Sequence, residues 1–502
     1  MMQHIGEVFE NTIDTFCLTD NTGVYIGHDI KQYANHFSAI LKNGGVKSAD
    51  RVMLICNECI YYLVGILAIF KLNAIVVPVS PTVPDQTLLE AIQIVKPTCI
   101  CIQDKTIYEK INKLNLKDTE TINIVLNKPQ SLLNEKLDYT NSASDIAFIL
   151  LSSGTTGNRK GIALTHSAIC RNLESIAGYM KPNANDRFLV LKEFTHVSTL
   201  VGEILMAIYS GAEIFVPPAR CTVAKQIMYI EKYQPTMIFL NPVLLEQLAK
   251  YIETKNIQIP SFTIYTSGAI FTSELAYETS QLLSNCKIYN VYGLTEAGPR
   301  VAAQTEENRK KYGSVGKAIL NTKIKILDPS SLEETQKNNI GEIYVKNKSL
   351  MQGYVYDNFR IENIKQSDYL KTGDLGYVDK DGDLFITGRV DDIVNVVGNN
   401  VNLNAVELAV KKTGLVKHCE VFGVPDPLLI TRIICLFEAD EVVDLRAKLL
   451  IQSCLKYLYI YELPKEFIVC KKIPISNMGK RSRYMLAQMY ELSKLQYTTL
   501  SY

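Results

Sequence analysis

A stretch rich in Ser, Thr and Gly carries the first side chains that could do chemistry. Residues 150–166 read LLSSGTTGNRKGIALTH, and the apolar run DIAFILL leads directly into them. Backbone N–H groups and hydroxyls in such a loop can bind the oxygens of a polyphosphate, assisted by one or two cations. The pattern therefore predicts a phosphate-binding loop, although the same composition also suits an ordinary flexible turn.

The spacing in this loop excludes the Walker type of phosphate site. That motif needs a second Gly five residues after the first, followed by Lys and then Ser or Thr. Five residues after Gly154 stands Arg159, and Lys160 is followed by Gly161. A kinase or ATPase of the Walker type is therefore disfavoured, and another phosphate chemistry has to be sought.

The elements that must position this loop alternate between strand-like and helix-like segments. RVMLIC, AIVVPVS, TCICIQ, TINIVL, MIFLNP and FTIYTSG are strand-like, and IYYLVGILAIFK is helical. Such alternation is typical of an α/β protein whose sheets are covered by helices. From about residue 341 the pattern changes to short strands with Asp-Gly and Gly-Asn turns. We predict a large multi-layer N-terminal domain, residues 1–388, and a small mobile α+β domain, residues 389–502.

Composition narrows the class of protein and its partners. The chain has 502 residues, with 47% apolar residues, 21% charged residues and a net charge of +1. This balance gives no reason to expect a nucleic-acid partner or a charged membrane surface. The longest apolar run, YYLVGILAIF, is too short to span a bilayer, and we predict a core helix there.

The cysteines indicate a reducing compartment. Twelve are scattered along the chain, and the close pair Cys56 and Cys59 has no second pair to complete a zinc site. The N-terminal residues are too acidic and too weakly apolar for a signal peptide. The expected location is the cytoplasm.

Five segments in order make a stronger pattern than the loop alone. SSGTTGNRKG resembles the phosphate loop of the adenylate-forming ligase superfamily, which includes acyl-CoA synthetases, adenylation domains of peptide synthetases and firefly luciferase. YTSGAIFTSEL is similar to its adenine-binding turn, and YNVYGLTEAG to its nucleotide and magnesium motif. YLKTGDLGYVDKDGDLFITGRVDDIVNVVGNNV resembles its ribose and hinge segment, and LPKEFIVCKKIPISNMGKRSR its C-terminal lysine motif.

The resemblance implies a reaction in two halves and an AMP-forming acid–thiol ligase. A carboxylate attacks the α-phosphate of ATP and releases pyrophosphate, and a thiol then attacks the acyl carbon and expels AMP. The first half needs positioning and neutralisation of negative charge, because the carboxylate is already ionised at neutral pH. ATP, Mg²⁺ and the thiol of CoA or of phosphopantetheine are the implied cofactors and substrates.

The same resemblance assigns roles to individual residues. Lys480 would bridge the carboxylate and the phosphate, Thr295 would bind the α-phosphate, and Glu296 would bind magnesium. Asp391 would be the hinge of the small domain. The remaining nucleotide-binding candidates are Ser152, Ser153, Gly154, Thr155, Thr156, Gly157, Lys160, Gly268, Ala269, Tyr292, Asp374 and Arg389.

Tyr292 would stack on adenine, and Asp374 would accept hydrogen bonds from the ribose hydroxyls. Plain structural roles remain open beside these, such as a turn aspartate at Asp374 or a surface lysine at Lys480.

The acid pocket is predicted within LKEFTHVSTLVGEILMAIYSGAEIFV, residues 191–216. His196 falls where acyl-CoA synthetases often carry a gating histidine, although a core histidine satisfied by the backbone is the alternative. Amino-acid-activating relatives usually place an Asp here, and this segment has none. We therefore expect a carboxylic acid without a free α-amino group, aliphatic or aromatic. The pocket candidates are His196, Val197, Leu200, Val201 and Asn241.

The acceptor remains open between two thiols. Free CoA is favoured slightly, and the alternative is a free-standing adenylation enzyme that loads an acyl or aminoacyl group onto a separate carrier protein. A catalytically silent relative that only binds nucleotide is a further alternative. Intact Lys480, Glu296, Asp374 and Arg389 argue against that, since each could be lost without harming the fold.

Overall fold

The structure is a computed structural model of the chain. It describes residues 4–83, 85–103, 105–113, 119–124, 145–151, 160–218, 221–364, 368–396, 399–438, 447–458, 460–475, 482–493, 495 and 497–499.

The helices follow one another along the whole chain. They are α1 (Ile5–Thr12), α2 (Gly27–Asn43), α3 (Cys59–Lys71), α4 (Asp85–Val95), α5 (Lys105–Lys113), α6 (His166–Met180), α7 (Val197–Thr199), α8 (Met206–Ser210), α9 (Val223–Tyr233), α10 (Pro242–Lys255), α11 (Ser273–Leu282), α12 (Leu403–Lys412), α13 (Ala447–Cys454) and α14 (Arg483–Glu491). A π-helix, Leu200–Leu205, joins α7 to α8. Short 3-10 helices cover Ile13–Thr15, Thr295–Ala297, Asp357–Phe359 and Val390–Asp392.

The strands alternate with these helices in the first part of the chain and dominate the second. They are β1 (Cys17–Thr19), β2 (Val24–Ile26), β3 (Arg51–Ile55), β4 (Ile75–Pro78), β5 (Cys99–Ile102), β6 (Glu120–Asn123), β7 (Ile146–Leu151), β8 (Gly161–Thr165), β9 (Arg187–Val190), β10 (Glu213–Phe215), β11 (Met237–Leu240), β12 (Thr263–Thr266), β13 (Lys287–Gly293), β14 (Arg300–Ala303), β15 (Lys317–Ala318), β16 (Lys323–Leu327), β17 (Gly341–Lys346), β18 (Gly353–Tyr356), β19 (Arg360–Asn363), β20 (Leu370–Val378), β21 (Leu384–Arg389), β22 (Ile393–Val396), β23 (Asn399–Asn402), β24 (Cys419–Asp426), β25 (Ile430–Glu438), β26 (Glu466–Cys470) and β27 (Thr498–Thr499).

The strands form several sheets, which confirms the mixed α/β class. Over the described ranges, one sheet has the order β15-β14-β13-β12-β11-β9-β10-β1-β2 and another the order β19-β18-β8-β7-β4-β3-β5-β6. A smaller sheet runs β16-β17-β20-β21, and the last runs β23-β22-β25-β26-β27 with β24 beside β25. In the two large sheets the central strands are parallel, because helices return the chain to the same edge each time.

The predicted core helix is α3. Every residue from Cys59 to Phe70 except Tyr61 is buried, as an apolar run without a polar face requires. Gly65 lets this helix approach the sheet, since a Cβ there would lie 2.7 Å from a methyl group of Leu54 on β3. The strands predicted at RVMLIC, AIVVPVS, TCICIQ, TINIVL, MIFLNP and FTIYTSG are β3, β4, β5, β6, β11 and β12.

The chain separates into two compact units by its internal contacts. The first comprises Met1–Lys325, Tyr344–Leu370 and Gly382–Leu384, and the second comprises Ile326–Ile343, Lys371–Asp381 and Phe385–Tyr502. The second unit has its own core, built where α12 and α13 pack on the sheet that contains β25. The functional boundary between residues 388 and 389 stays a prediction.

A buried histidine pair lies near the start of the first unit. The rings of His4 and His166 stack with their centroids 3.6 Å apart, and Phe70 contacts both rings edge-on. Nδ1 of His4 accepts a hydrogen bond from the backbone of Gly6 and so caps α1. Burial lowers the pKa of His4 from 6.5 to about 4, and burial together with the neighbouring His4 lowers the pKa of His166 well below its usual range.

The pair is expected to make the first unit sensitive to acid. The unfolded histidines take up protons near pH 6.5, whereas the folded ones resist protonation, so stability is complete above pH 6.5 and falls as the pH drops toward 4. For His4 the loss of unfolding free energy approaches about 3 kcal/mol at pH 4. The transition temperature should fall less between pH 7 and pH 4.5 in His4→Asn, which keeps a capping side chain. His28→Asn, at an exposed position, is the control, and an unchanged acid slope in His4→Asn would contradict the assignment.

Candidate active site

Parallel strands of the nine-stranded sheet deliver the predicted nucleotide motifs to one edge. β9, β11, β12 and β13 pair in parallel, so the residues that follow them emerge at the same side of the sheet. Ligands of open α/β sheets bind at this carboxyl edge. Gly268 and Ala269 follow β12 there, both exposed, and the φ of +94° at Gly268 is one that residues with a side chain rarely adopt.

Tyr292 lies near the end of β13, opposite Ala302 of β14. Its side chain is largely buried, with 9% of the residue exposed. Directly after it, the backbone at Gly293 packs closely against the backbone at Pro299. A Cβ on Gly293 would lie only 1.8 Å from the carbonyl oxygen of Pro299. Only glycine fits at this point, and the turn that it permits leads into Thr295 and Glu296.

Thr295 and Glu296 stand in a one-turn 3-10 helix and are half-buried. The hydroxyl of Tyr354, on β18, donates a hydrogen bond to Oε1 of Glu296 at 3.4 Å. The Nζ atom of Lys160 lies 3.5 Å from the centroid of the same Tyr354 ring, which is close enough for a cation–π contact. Tyr354 thus brings together a cation and a carboxylate that sequence reasoning had assigned separately.

Asn172 of α6 holds this loop from behind. The residue is fully buried, its side-chain amide donates to the carbonyl oxygens of Ala297 and Arg300 at 3.2 and 3.1 Å, and its Oδ1 accepts from the backbone N–H of Arg300 at 3.1 Å. Three hydrogen bonds from one side chain fix the backbone on both sides of Gly298. Sequence reasoning missed Asn172, since nothing in the α6 pattern marks it.

The hydroxyl-rich loop itself lies outside the described residues. This applies to Ser152, Ser153, Gly154, Thr155, Thr156 and Gly157. The strands on either side of it are antiparallel neighbours, with Leu151 of β7 opposite Gly161 of β8. Lys160, the last residue before β8, is described and lies beside Tyr354 as stated above.

Asp374 and Arg389 belong to the second unit and pair with each other. Nη1 of Arg389 donates to Oδ1 of Asp374 at 2.9 Å. The Asp374 backbone N–H binds the hydroxyl of Thr372, which in turn donates to the carbonyl of Ile343. Gly373 between them has a φ of +72°, so this turn inside β20 depends on a glycine. The structure therefore gives Asp374 a fixed orientation and a cationic neighbour.

Two predicted residues of the second unit lie partly or wholly outside the described part of the chain. Lys480 is outside the described residues, and for Asp391 only the backbone, in a 3-10 helix, is described. Shortly after Lys480, Ser482 caps α14 by accepting from Met485. Arg483 then donates to Asp392 and Glu407 at 2.9 and 2.8 Å. The residues after the lysine motif are thus anchored next to the predicted hinge.

The predicted acid-pocket residues divide into one helical group and one separate residue. Val197, Leu200 and Val201 lie on α7 and the π-helix, and His196 immediately precedes α7, whereas Asn241 follows β11. Nδ1 of His196 contacts the hydroxyl of Ser198 at 2.8 Å and accepts from its backbone N–H, which caps α7. Oδ1 of Asn241 accepts from Leu244 at 2.8 Å and caps α10. Both side chains therefore have structural roles that local sequence order did not show.

A buried group of charges lies beside these residues, and sequence reasoning missed it. Nζ of Lys192 is 2.5 Å from Oε1 of Glu203, and Glu203 is fully buried. Arg300, 2% exposed, has its guanidinium next to the half-buried residue Tyr179, whose hydroxyl is itself buried. Burial lowers the pKa of Lys192 and raises that of Glu203, while their ion pair opposes both shifts. The available signal was a single Glu within the apolar stretch LVGEILMAI.

Comparison with known proteins adds the family context. The sequence profile of AMP-binding enzymes, described as "AMP-binding enzyme", matches residues 8–355. The chain is 24% identical over 494 residues to the long-chain-fatty-acid–CoA ligase of Yersinia pestis, covering 90% of this chain and 87% of that one. It is 26% identical over 406 residues to 4-coumarate–CoA ligase 1 of Arabidopsis thaliana, covering 75% and 72%.

A solved structure shows the same fold. ATP-bound MatB from Rhodopseudomonas palustris superposes with a TM-score of 0.87 and 20% identity, covering 98% of this chain and 99% of that one. In the part of the chain that the structure describes, no helix is both long and apolar enough to cross a membrane.

Proposed function

The chain belongs to the AMP-binding enzyme family and is an AMP-forming, adenylate-forming ligase, and on this premise we propose that it transfers the activated acyl group to the thiol of CoA. The observation that best supports a working enzyme is the arrangement of Lys160, Tyr354 and Glu296 at the carboxyl edge of the large sheet. It combines a cation for phosphate oxygens with a carboxylate that a silent relative would not need to retain.

In the first half-reaction, a carboxylate oxygen of the acid forms a bond to the α-phosphorus of ATP while the bond to the β-phosphate oxygen breaks, and pyrophosphate leaves. We assign Thr295 to the α-phosphate, where its hydroxyl would donate a hydrogen bond. Lys160 and Lys480 would offset the negative charge that gathers on the phosphate oxygens. No proton has to move in this step, because the acid enters as its anion.

Glu296 is chemically suited to bind a magnesium ion, since the residue is half-buried and its carboxylate offers oxygen ligands. Mg²⁺ would supply shielding of the triphosphate charge. The role of Tyr354 would be to hold the carboxylate in place through the hydrogen bond to Oε1. We assign Tyr292 to the adenine ring and Asp374 with Arg389 to the ribose side of the nucleotide.

In the second half-reaction, the acceptor thiol gives up its proton to solvent, its sulfur forms a bond to the acyl carbon, the bond between that carbon and the phosphate oxygen breaks, and AMP leaves with the electron pair. CoA is our choice because the relatives compared above are named as CoA ligases. A separate carrier protein would present the same phosphopantetheine thiol and is the second candidate. We place the enzyme in the cytoplasm, because all twelve cysteines are free thiols.

The first experiment is acid-dependent exchange of labelled pyrophosphate into ATP, across a panel of fatty, aryl, hydroxy, dicarboxylic and amino acids. We expect exchange with one class of acid and none without acid. The acid found is then offered with CoA and with a phosphopantetheine-loaded carrier protein, and we expect an acyl-CoA product. ATP binding without exchange for any acid would contradict the proposed activity, and transfer only to the carrier would contradict CoA as the acceptor.

A further inference from the structure

The charged group at Lys192, Glu203 and Arg300 has an excess of positive charge in a buried place. Lys192 and Glu203 neutralise each other across 2.5 Å, and the guanidinium of Arg300 adds a positive charge beside them. Tyr179 beside it remains a neutral phenol, since burial raises its pKa. An uncompensated buried cation is strongly unfavourable, so a ligand that brings a negative charge would be bound well here.

Hydrogen bonding in this group is incomplete on the donor side and on the acceptor side. Nε of Arg300 and Oε2 of Glu203 have no hydrogen-bond partner in the described part of the chain, although both residues are almost fully buried. Such unsatisfied groups are rare in proteins and need an explanation. The unsatisfied donor belongs to the guanidinium of Arg300, and a guanidinium can bind a carboxylate through two parallel hydrogen bonds.

The backbone around the group also departs from regular structure. Gly202 and Glu203 lie in the π-helix Leu200–Leu205, a wide turn that is rare and often found at functional sites. A Cβ on Gly202 would lie 2.9 Å from Nη2 of Arg300, so the glycine leaves room for the guanidinium. Gly202, which adjoins Arg300, therefore lies in the same π-helix as the predicted pocket residues Leu200 and Val201.

Arg300 is also close along the chain to the residues assigned to the reacting phosphate. It ends the loop that begins with Thr295 and Glu296, and the amide of Asn172 binds the carbonyls of both Ala297 and Arg300. The group thus adjoins both the phosphate motif and the acid-pocket helix. Because Arg300 follows Glu296 by only four residues, we expect an acid that spans the two to have a short carbon chain.

We propose that Arg300 recognises a second acidic group on the substrate, so that the acid activated by this enzyme is a short dicarboxylic acid. This rests on the proposed function, because it names the substrate of that site. Recognition of an α-ammonium group by Glu203 is disfavoured, since that carboxylate already pairs with Lys192 and has Arg300 beside it. A long fatty acid is disfavoured because its methyl end would meet buried charges.

The test compares acids of equal length that differ in one terminal group, using pyrophosphate exchange with the full chain. Succinate is paired with butyrate, glutarate with pentanoate, and adipate with hexanoate. Each diacid is also compared with its monoamide, such as glutaramate for glutarate, which keeps the reacting carboxylate and has an uncharged far end. We expect one diacid to exceed its monoacid and its monoamide in kcat/KM. Arg300→Met should lower the ratio of kcat/KM for that diacid to kcat/KM for its monoacid by about 10- to 100-fold, the effect of losing charge-assisted hydrogen bonds.

Two further variants separate recognition from a structural role. Arg300→Lys should restore part of the preference for the diacid. Arg360→Met, which removes an exposed arginine paired with Glu362, should leave all ratios as in the native chain. An equal loss for diacid and monoacid in Arg300→Met, or a native preference for monoacids or amino acids, would overturn the inference while exchange itself still supports the ligase. Exchange with no acid at all would overturn both.

Discussion

Lys480→Ala is expected to abolish nearly all adenylation while leaving thiol transfer intact. Pyrophosphate exchange should fall by about 10³-fold, the effect of removing one group that stabilises transition-state charge. The second half-reaction needs no neutralisation of the triphosphate. For this reason, a supplied acyl-adenylate should still react with CoA at close to the native rate. The measurement is a pair of single-turnover assays, one for each half-reaction.

Lys471→Ala is the matched control for this variant, because Lys471 is an exposed lysine that follows β26 in the same segment. Both half-reactions should proceed normally in it. The contacts of Arg483 with Asp392 and Glu407 should keep α14 in place in either variant. If both half-reactions fell equally in Lys480→Ala, the lysine would have a general structural role and its assignment to the phosphate would be wrong.

Asp374→Ala is expected to remove recognition of the ribose of ATP. A carboxylate that accepts hydrogen bonds from two hydroxyls contributes about 1.5–3 kcal/mol for each bond, so kcat/KM for ATP should fall by about 10²- to 10⁴-fold. The native enzyme should discriminate against 2′-deoxy-ATP and 3′-deoxy-ATP. The variant should accept both analogues as well as it accepts ATP. The comparison of the three nucleotides is the measurement.

The fold should survive this change, since the partner left behind can be solvated. The Arg389 side chain is 42% exposed, and an ion pair with such a partner contributes little to stability. Asp381→Ala, at an exposed position in the turn after β20, is the control and should keep native nucleotide kinetics. Continued discrimination against the deoxynucleotides by Asp374→Ala would show that another group binds the ribose hydroxyls.

Much of the fold follows from the sequence because its signals are local. β-branched runs bounded by turn residues mark β3, β4, β5, β6, β11 and β12, and an apolar run without a polar face marks α3. Each signal depends only on residues that are neighbours in the chain. Which segments belong to each of the two compact units did not follow from the sequence, because segments from separate parts of the chain make up each unit.

The acid pocket illustrates the limit of local reasoning. Sequence order placed Asn241 and His196 among the pocket candidates, and the structure shows that Asn241 caps α10 and His196 caps α7. The π-helix after α7 also changes which side chains share a face, since it has an extra residue in its turn. No propensity rule applied to this apolar segment distinguishes such a turn from an α-helix.

The sequence by itself determined the family, because the nucleotide motifs that the structure describes are short turns in which residue type and backbone geometry are linked. Gly268, Gly293 and Gly373 show this link directly, since each stands where a side chain would be strained or would clash. Only the tertiary structure decided that Lys192 pairs with Glu203 and that Glu203 and Arg300 lie almost wholly out of water. The free energy of a charge depends on everything that surrounds it, and elements distant in sequence supply those surroundings.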